Sequence, residues 1–168
     1  MNEIHDGLLV EEADALGGIL REQQLKMATV ESCTGGWIAK VLTDTAGSSD
    51  YFQSGLVTYS NAARHRLAGV SELTLEEHGA VSQAVVREMV RGTLARTGAD
   101  VAVAVSGVAG PGGGSEAKPV GTVWFAWGRA GAEPGSICEH FDGDRDSIRR
   151  QAVLYALRGV QTLLQNGR

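Results

Sequence analysis

Residues 27–42 read MATVESCTGGWIAKVL and contain the strand, turn and helix that decide the fold. Residues 27–30 form a short apolar run that suits a buried strand, and residues 37–42 have the apolar spacing of a helix. The turn Ser32-Cys-Thr-Gly-Gly36 breaks the strand, and Thr34 is the expected N-cap of the helix that follows. We therefore expect a strand–turn–helix unit with the functional centre of the protein at its turn.

The rest of the chain continues this alternation of strands and helices. An amphipathic helix is predicted over residues 8–25, and the continuous apolar run 100–106 predicts a central strand. Asn61 is the expected cap of a helix ending at Gly69, and Ser82 of a helix ending near Gly98. Further strands are expected at 55–60, 120–127 and 136–141, and further helices at 73–78 and 144–164. The pattern predicts one α/β domain over residues 1–168, a three-layer α/β/α fold with a mixed, mostly parallel sheet.

Composition excludes several classes of protein. Hydrophobic residues make up 43% and charged residues 21% of the 168, which is an ordinary soluble mix. No apolar run approaches the roughly 20 residues that cross a bilayer, and residues 1–12 are acidic, so we expect a cytoplasmic protein without a membrane partner. A net charge of -5 argues against a broad nucleic-acid surface. The two cysteines, Cys33 and Cys138, lack the spacing of a zinc site, so no metal is expected.

Ser32 lies where the first strand gives way to a helix. There its hydroxyl can act as a nucleophile, with the N–H groups of Thr34, Gly35 and Gly36 as an oxyanion hole. The alternative is that Ser32 and Thr34 only cap the helix. Cys33 is a rival nucleophile, because the helix terminus would favour its thiolate.

A glycine-rich stretch follows the predicted central strand over residues 107–118. Its backbone can approach a ligand closely and form a nest of N–H groups for an anion, or it is simply a flexible surface loop. It lacks the Lys-Ser/Thr step of a Walker loop. Lys118 and Arg149 are candidate phosphate partners, although each is also explained as a solvated charge.

Three aromatic side chains and one histidine lie near the predicted turns. Trp37, Tyr59 and Trp124 can stack on an aromatic ligand, although core packing also explains single aromatics. His65 is the histidine nearest to a candidate turn.

Six segments in order along the chain carry a further signal, namely VESCTGG (30–36), AGSS (46–49), GLVTYSN (55–61), GAVS (79–82), SGVAGP (106–111) and KPVGT (118–122). Together they resemble the CinA C-terminal domain family and, with the stretch Gly-Asp-Arg-Asp146, extend the match over nearly the whole chain. The resemblance implies hydrolysis of the carboxamide of nicotinamide mononucleotide to nicotinate mononucleotide and ammonia, with no metal or organic cofactor. The expected partner is a small-molecule nucleotide, and a homo-oligomer is the default for a small α/β enzyme.

The resemblance also implies roles for single residues. Ser32 falls on the family's catalytic serine, and in an amidohydrolase of this kind we expect Tyr59 or Arg149 to help position the nucleotide. The family's lysine, which takes the serine proton, falls on Arg64. The matched segments add candidate substrate-binding residues to the Ser32 turn, namely Ser49, Asn61, Ser106, Gly107 and Gly110.

Arg64 departs from the family's pattern, since a guanidinium is no general base near neutral pH. Three explanations are open. Arg64 holds the phosphate or favours the serine alkoxide while His65 or Lys118 takes the proton, the domain binds a nucleotide without hydrolysing it, or the family varies at this position. A role as an interaction protein in competence or DNA repair is disfavoured by the acidic balance.

Overall fold

The strands form one five-stranded sheet, and the computed structural model describes residues 3–167. The strand order is β2-β1-β3-β4-β5, with β1 parallel to both of its neighbours and β4 antiparallel to both of its own. β4 thus runs against the other four strands, which confirms the mixed, mostly parallel sheet. The strands are β1 (Met27–Glu31), β2 (Phe52–Val57), β3 (Val101–Gly107), β4 (Thr122–Arg129) and β5 (Gly135–His140).

Helices cover both faces of the sheet, which confirms the three-layer α/β/α fold. One apolar core joins the sheet to α1, α2 and α6, and a second joins it to α3, α4 and α5. Within residues 3–167 no helix has both the length and the apolar character to cross a membrane. The helices are α1 (Asp6–Glu22), α2 (Trp37–Thr43), α3 (Asn61–Ala68), α4 (Glu72–His78), α5 (Gln83–Thr97) and α6 (Arg145–Asn166), with a short 3-10 turn at Ser48–Asp50.

β3 is the central strand, as its continuous apolar run predicts. Val103 and Val105 lie in the first core, whereas Ala102 and Ala104 lie in the second. Both faces of the strand are covered by helices, and for this reason no polar alternation is present.

Two predicted helix caps are wrong. Thr34 does not cap α2, because the N-cap is Gly36 in the left-handed region at φ 95°, with no side-chain cap. Asn61 is already the first residue of α3, and the Ser60 hydroxyl accepts the hydrogen bond from the N–H of Ala63 instead. As Ser60 starts the helix, β2 ends at Val57, three residues before the predicted strand end.

The carboxyl ends of β1, β2 and β3 meet at one edge of the sheet. From β1 the chain enters α2 on one face, and from β2 it enters α3 on the other. Divergence of this kind opens a crevice at the strand ends, the usual place for a ligand in an α/β sheet. β5 runs in the same direction, so the start of α6 also lies at this edge.

Candidate active site

A cavity of about 310 Å³ lies at this edge of the sheet. Among the described residues that line it are two cationic side chains, Arg64 and Arg145, and no carboxylate. Such a cavity favours an anionic or electron-rich ligand. Its lining consists of Ser32, Cys33, Tyr59, Arg64, Val81, Gly107, Val108, Ala109, Gly110, Gly112, Gly113 and Arg145.

Ser32 and Arg64 form the centre of the cavity. The N–H of Ser32 donates to the Val105 carbonyl at 3.0 Å, which ties the turn to β3. Nη2 of Arg64 donates to the Ser32 Oγ at 2.5 Å, and both residues are buried. Nη1 of Arg64 donates to Asn61 Oδ1 at 3.1 Å, so Asn61 orients Arg64 and does not itself line the cavity.

Arg64 is a buried cation whose hydrogen-bond acceptors are neutral. They are the Ser32 hydroxyl, the Asn61 side chain and the Tyr59 carbonyl. Burial lowers the pKa of the Arg64 guanidinium, yet an arginine stays protonated in proteins. A guanidinium in this position can stabilise negative charge on the Ser32 oxygen but cannot accept its proton.

Cys33 lines the cavity but is a poor nucleophile. Its side chain is 4% exposed, and burial raises the pKa of the thiol to about 11. The thiolate that would attack is therefore scarce near neutral pH. The expected help from the helix terminus does not overcome this burial.

The turn after Ser32 is held by hydrogen bonds within the turn and to Glu31. The N–H of Gly35 donates to the Ser32 carbonyl at 2.9 Å, and the Thr34 hydroxyl donates to Glu31 Oε1 at 2.7 Å. Thr34, Gly35 and Gly36 do not line the cavity. The structure therefore places the expected oxyanion donors of this turn away from the ligand space.

The glycine-rich loop supplies N–H groups to the cavity instead. Among the hydrogen bonds of residues 3–167, none engages the N–H of Ala109, Gly110, Gly112 or Gly113. Gly110 has φ 78°, and a Cβ there would lie 2.5 Å from Val120 Cγ1, so the loop requires glycine. These backbone donors are therefore available to an anionic ligand.

The loop is also held in place by the sheet. The N–H of Val108 donates to the Thr122 carbonyl at 2.8 Å, and the N–H of Gly121 donates to the Val108 carbonyl at 2.8 Å. These two bonds anchor Val108, one of the cavity-lining residues, to the start of β4.

Three predicted binding residues have other partners. Arg149 donates to the carbonyls of Cys33 and Thr34 at 3.0 and 3.2 Å, and so braces the Ser32 turn. The Ser106 hydroxyl donates to the Ala80 carbonyl at 2.9 Å. Ser49 lies in the 3-10 turn before β2, at the opposite edge of the sheet. None of the three lines the cavity.

The two candidate proton acceptors also lie elsewhere. His65 lines a separate cavity, and its Nδ1 lies 2.8 Å from the Val70 carbonyl. Lys118 donates from Nζ to the His78 carbonyl at 2.9 Å and does not line the Ser32 cavity. Neither is placed to take the Ser32 proton.

Of the three candidate aromatics, Tyr59 lines the cavity, and it is 59% exposed. Trp37 contacts the guanidinium groups of Arg149 and Arg150, and Trp124 packs on the second core. Stacking on a ligand is therefore open to Tyr59.

Arg145 is the cavity residue that the sequence reasoning missed. It is the first residue of α6, and its Nη1 donates to the Gly110 carbonyl at 2.6 Å while its Nη2 donates to the Tyr59 hydroxyl at 3.0 Å. Its one signal was its place in the matched stretch Gly-Asp-Arg-Asp146. Nothing local indicated that the start of α6 meets the end of β1.

The sequence model of the CinA C-terminal domain family matches residues 10–164 of this chain. The chain belongs to the CinA C-terminal domain family. A relative in Escherichia coli, named nicotinamide-nucleotide amidohydrolase PncC, is 53% identical over 162 residues, covering 96% of this chain and 98% of that protein. A protein of the same name in Pseudomonas putida is 55% identical over 151 residues, covering 90% and 94% of the two chains.

Solved structures of CinA proteins share the fold. Competence damage-inducible protein A of Klebsiella pneumoniae superimposes with a TM-score of 0.91 at 39% identity, covering 95% of this chain and 99% of that chain. Competence/damage inducible protein CihA of Agrobacterium tumefaciens gives a TM-score of 0.90 at 40% identity, covering 93% and 95%. At these identities the likeness extends beyond the bare fold to the family.

Proposed function

We propose that this chain is an amidohydrolase that converts nicotinamide mononucleotide and water to nicotinate mononucleotide and ammonia. The observation that carries the proposal is the Ser32 hydroxyl, placed in the cavity 2.5 Å from the Arg64 guanidinium. Relatives at 53% and 55% identity are named for this reaction.

The reaction begins with attack of the Ser32 Oγ on the carboxamide carbon. The Arg64 guanidinium stabilises the attacking oxygen, and the free N–H groups of Ala109 and Gly110 face the oxyanion. The serine proton passes to the amide nitrogen, the C–N bond breaks, and ammonia leaves an acyl-serine. Water then attacks the acyl carbon, its second proton returns to the Ser32 Oγ, and nicotinate mononucleotide is released.

Two further groups orient the nucleotide. The phosphate lies against Arg145 and the N–H groups of Gly112 and Gly113, because a dianion prefers a guanidinium combined with backbone donors. The exposed Tyr59 ring faces the pyridine. Every step uses side chains and backbone of the chain, without a metal or organic cofactor.

The remaining expectations concern assembly and partners. We keep a homo-oligomer, a cytoplasmic location and the absence of a nucleic-acid partner as parts of the proposal. Light scattering of the purified protein tests the first, and a DNA-binding titration over a range of salt concentrations tests the last.

Ammonia release from nicotinamide mononucleotide tests the activity. The wild type is expected to release ammonia, and Ser32→Ala is expected to lose at least about 10³-fold in kcat, as removal of a nucleophile does. Ser49→Ala is the matched control, because the same change is made at a serine on the opposite edge of the sheet. Equal activity of wild type and Ser32→Ala would exclude Ser32 as the nucleophile.

The same experiment distinguishes the amidohydrolase from the alternative, a module that binds the nucleotide without hydrolysing it. This alternative is motivated by Arg64, which donates to Ser32 and cannot accept its proton. Calorimetry that shows binding of the nucleotide by the wild type, with no ammonia at high enzyme concentration, would favour the module over the enzyme.

A further inference from the structure

Glu31 is a fully buried carboxylate that immediately precedes Ser32. Its side chain is 0% exposed, and its hydrogen-bond donors are all neutral groups. A buried carboxylate without a cationic partner is costly, so a structure that retains one has a specific use for it.

The Glu31 carboxylate caps α2. Oε1 accepts from the Thr34 hydroxyl at 2.7 Å and from the N–H of Ile38 at 2.9 Å. Oε2 accepts from the N–H of Ala39 at 3.0 Å and from the Thr29 hydroxyl at 3.4 Å. These N–H groups belong to the first turn of α2, whose N-cap, Gly36, has no side chain to satisfy them.

Only a carboxylate fits this arrangement. Each of its oxygens faces a backbone N–H, which can only donate a hydrogen bond. A glutamine would turn its NH₂ group toward one of those N–H groups in either orientation, so one pair of donors would always face each other. The carboxylate therefore stabilises both the turn and the start of α2.

The backbone of Glu31 is also hydrogen-bonded to the segment that leads to Arg64. Its carbonyl accepts from the N–H of Thr58 at 2.8 Å, which fixes the segment that leads to Tyr59 and α3. Arg64 lies on α3, and Ser32 directly follows Glu31 in the chain. Glu31 thus connects the two segments whose side chains meet at 2.5 Å.

We propose that Glu31 is a positioning residue, which holds Ser32 against Arg64 without touching the substrate. This inference rests on the proposed amidohydrolase function. If it is correct, loss of the carboxylate displaces the Ser32 oxygen and lowers kcat, whereas KM, which depends on the more distant phosphate contacts, changes little.

The ionisation of Glu31 gives a second readout. Burial raises the pKa of its carboxyl, while the N–H groups of Ala39 and Ile38 and the hydroxyl of Thr34 oppose the shift. Protonation would place an O–H donor opposite an N–H. We expect the kcat of the wild type to fall as the pH drops through this raised pKa. This decrease is the acid limb of the pH profile, and Glu31→Gln should lack it.

The test compares Glu31→Gln with Glu88→Gln. Glu88 is a matched control, because its carboxylate also serves a helix start, accepting from the N–H of Ser71 at 2.8 Å and from the Thr74 hydroxyl at 2.7 Å, away from the cavity. Glu31→Gln is expected to lose about 100-fold in kcat with KM within about twofold of wild type, as for a small misplacement of a reacting group. Glu88→Gln should keep the wild-type kcat.

Several outcomes would overturn the proposal. A Glu31→Gln variant with the wild-type kcat and acid limb contradicts it directly. If this variant does not fold, Thr34→Val takes its place: a severalfold lower kcat with unchanged KM supports the role, and an unchanged kcat refutes it. If the wild type itself releases no ammonia, the proposed function fails, and a crystal structure of Glu31→Gln decides the positioning role by whether Ser32 Oγ and Arg64 Nη2 remain in contact.

Discussion

The two cavities on α6 differ in what their polar groups do. The larger, of about 550 Å³, is lined by apolar groups such as Trp127 and Ile137, and the polar atoms of its two largest aromatic side chains have partners within the protein. The Tyr155 hydroxyl donates to Glu139 Oε1 at 2.7 Å, and the Trp127 Nε1 donates to the Ala156 carbonyl at 3.0 Å.

The smaller cavity, of about 310 Å³ at Ser32, shows the opposite. Its two guanidinium groups bond only to neutral acceptors, and the N–H groups of residues 109, 110, 112 and 113 have no acceptor within residues 3–167. The proposed chemistry therefore depends on these unpaired donors and not on the size of the cavity.

Among substitutions in the two cavities, Arg64→Lys is expected to have the largest effect on ammonia release. A buried lysine loses its proton far more readily than arginine, so it can take the serine proton that Arg64 cannot accept. We expect kcat for ammonia release to rise about 10³-fold, within the usual range for a general base. Arg66→Lys, an exposed change on the same helix, is the control. An unchanged or lower kcat in Arg64→Lys would mean that the reaction needs no proton acceptor at this position.

Cys33 offers a test by pH. The pKa of its buried thiol is raised from 9.0 to about 11, so the folded state holds the proton more tightly than the unfolded state. This contribution is complete below pH 9 and is lost as the pH rises toward 11, amounting to about 3 kcal/mol of the free energy of unfolding. Denaturation of wild type and Cys33→Ala across this range measures it. Parallel pH curves for the two proteins would contradict the prediction.

Arg145→Gln tests the phosphate end of the smaller cavity. Loss of a charged hydrogen bond to phosphate is expected to raise KM for nicotinamide mononucleotide about 30-fold. The KM for nicotinamide riboside, which lacks the phosphate, should hardly change. Arg150→Gln, on the same helix but outside the cavity lining, serves as the control. Equal effects on both substrates would place the phosphate elsewhere.

A substitution in the larger cavity is expected to have the smallest effect on ammonia release. Ile137 is 40% exposed on β5, and Ile137→Ser makes the apolar cavity more polar without touching the Ser32 site. Ammonia release is expected to stay within about twofold of wild type, as for a surface change away from the site. A large loss of kcat would break the comparison and assign a role to the larger cavity.

Much of the fold could be predicted because its signals are local. The apolar run of β3, the Ser82 cap of α5 and the left-handed glycines at 69 and 98 each act within a few residues of the chain. The wrong caps at Thr34 and Asn61 show the limit of such reasoning. At α2 the carboxylate of Glu31, which lies further from the helix than Thr34, accepts from the first N–H groups. At α3 the neighbouring Ser60 takes the role expected of Asn61.

The sequence by itself determined the order of strands and helices and the position of Ser32 after a strand, since periodicity and turn chemistry are short-range. Only the tertiary structure decided which cations face that serine. Arg145 lies 113 residues away from Ser32 and lines the same cavity because β5 ends at the same sheet edge, whereas Lys118 and Arg149 bond to backbone carbonyls. Strand order and direction set these neighbours, and they arise from long-range packing that no local pattern encodes.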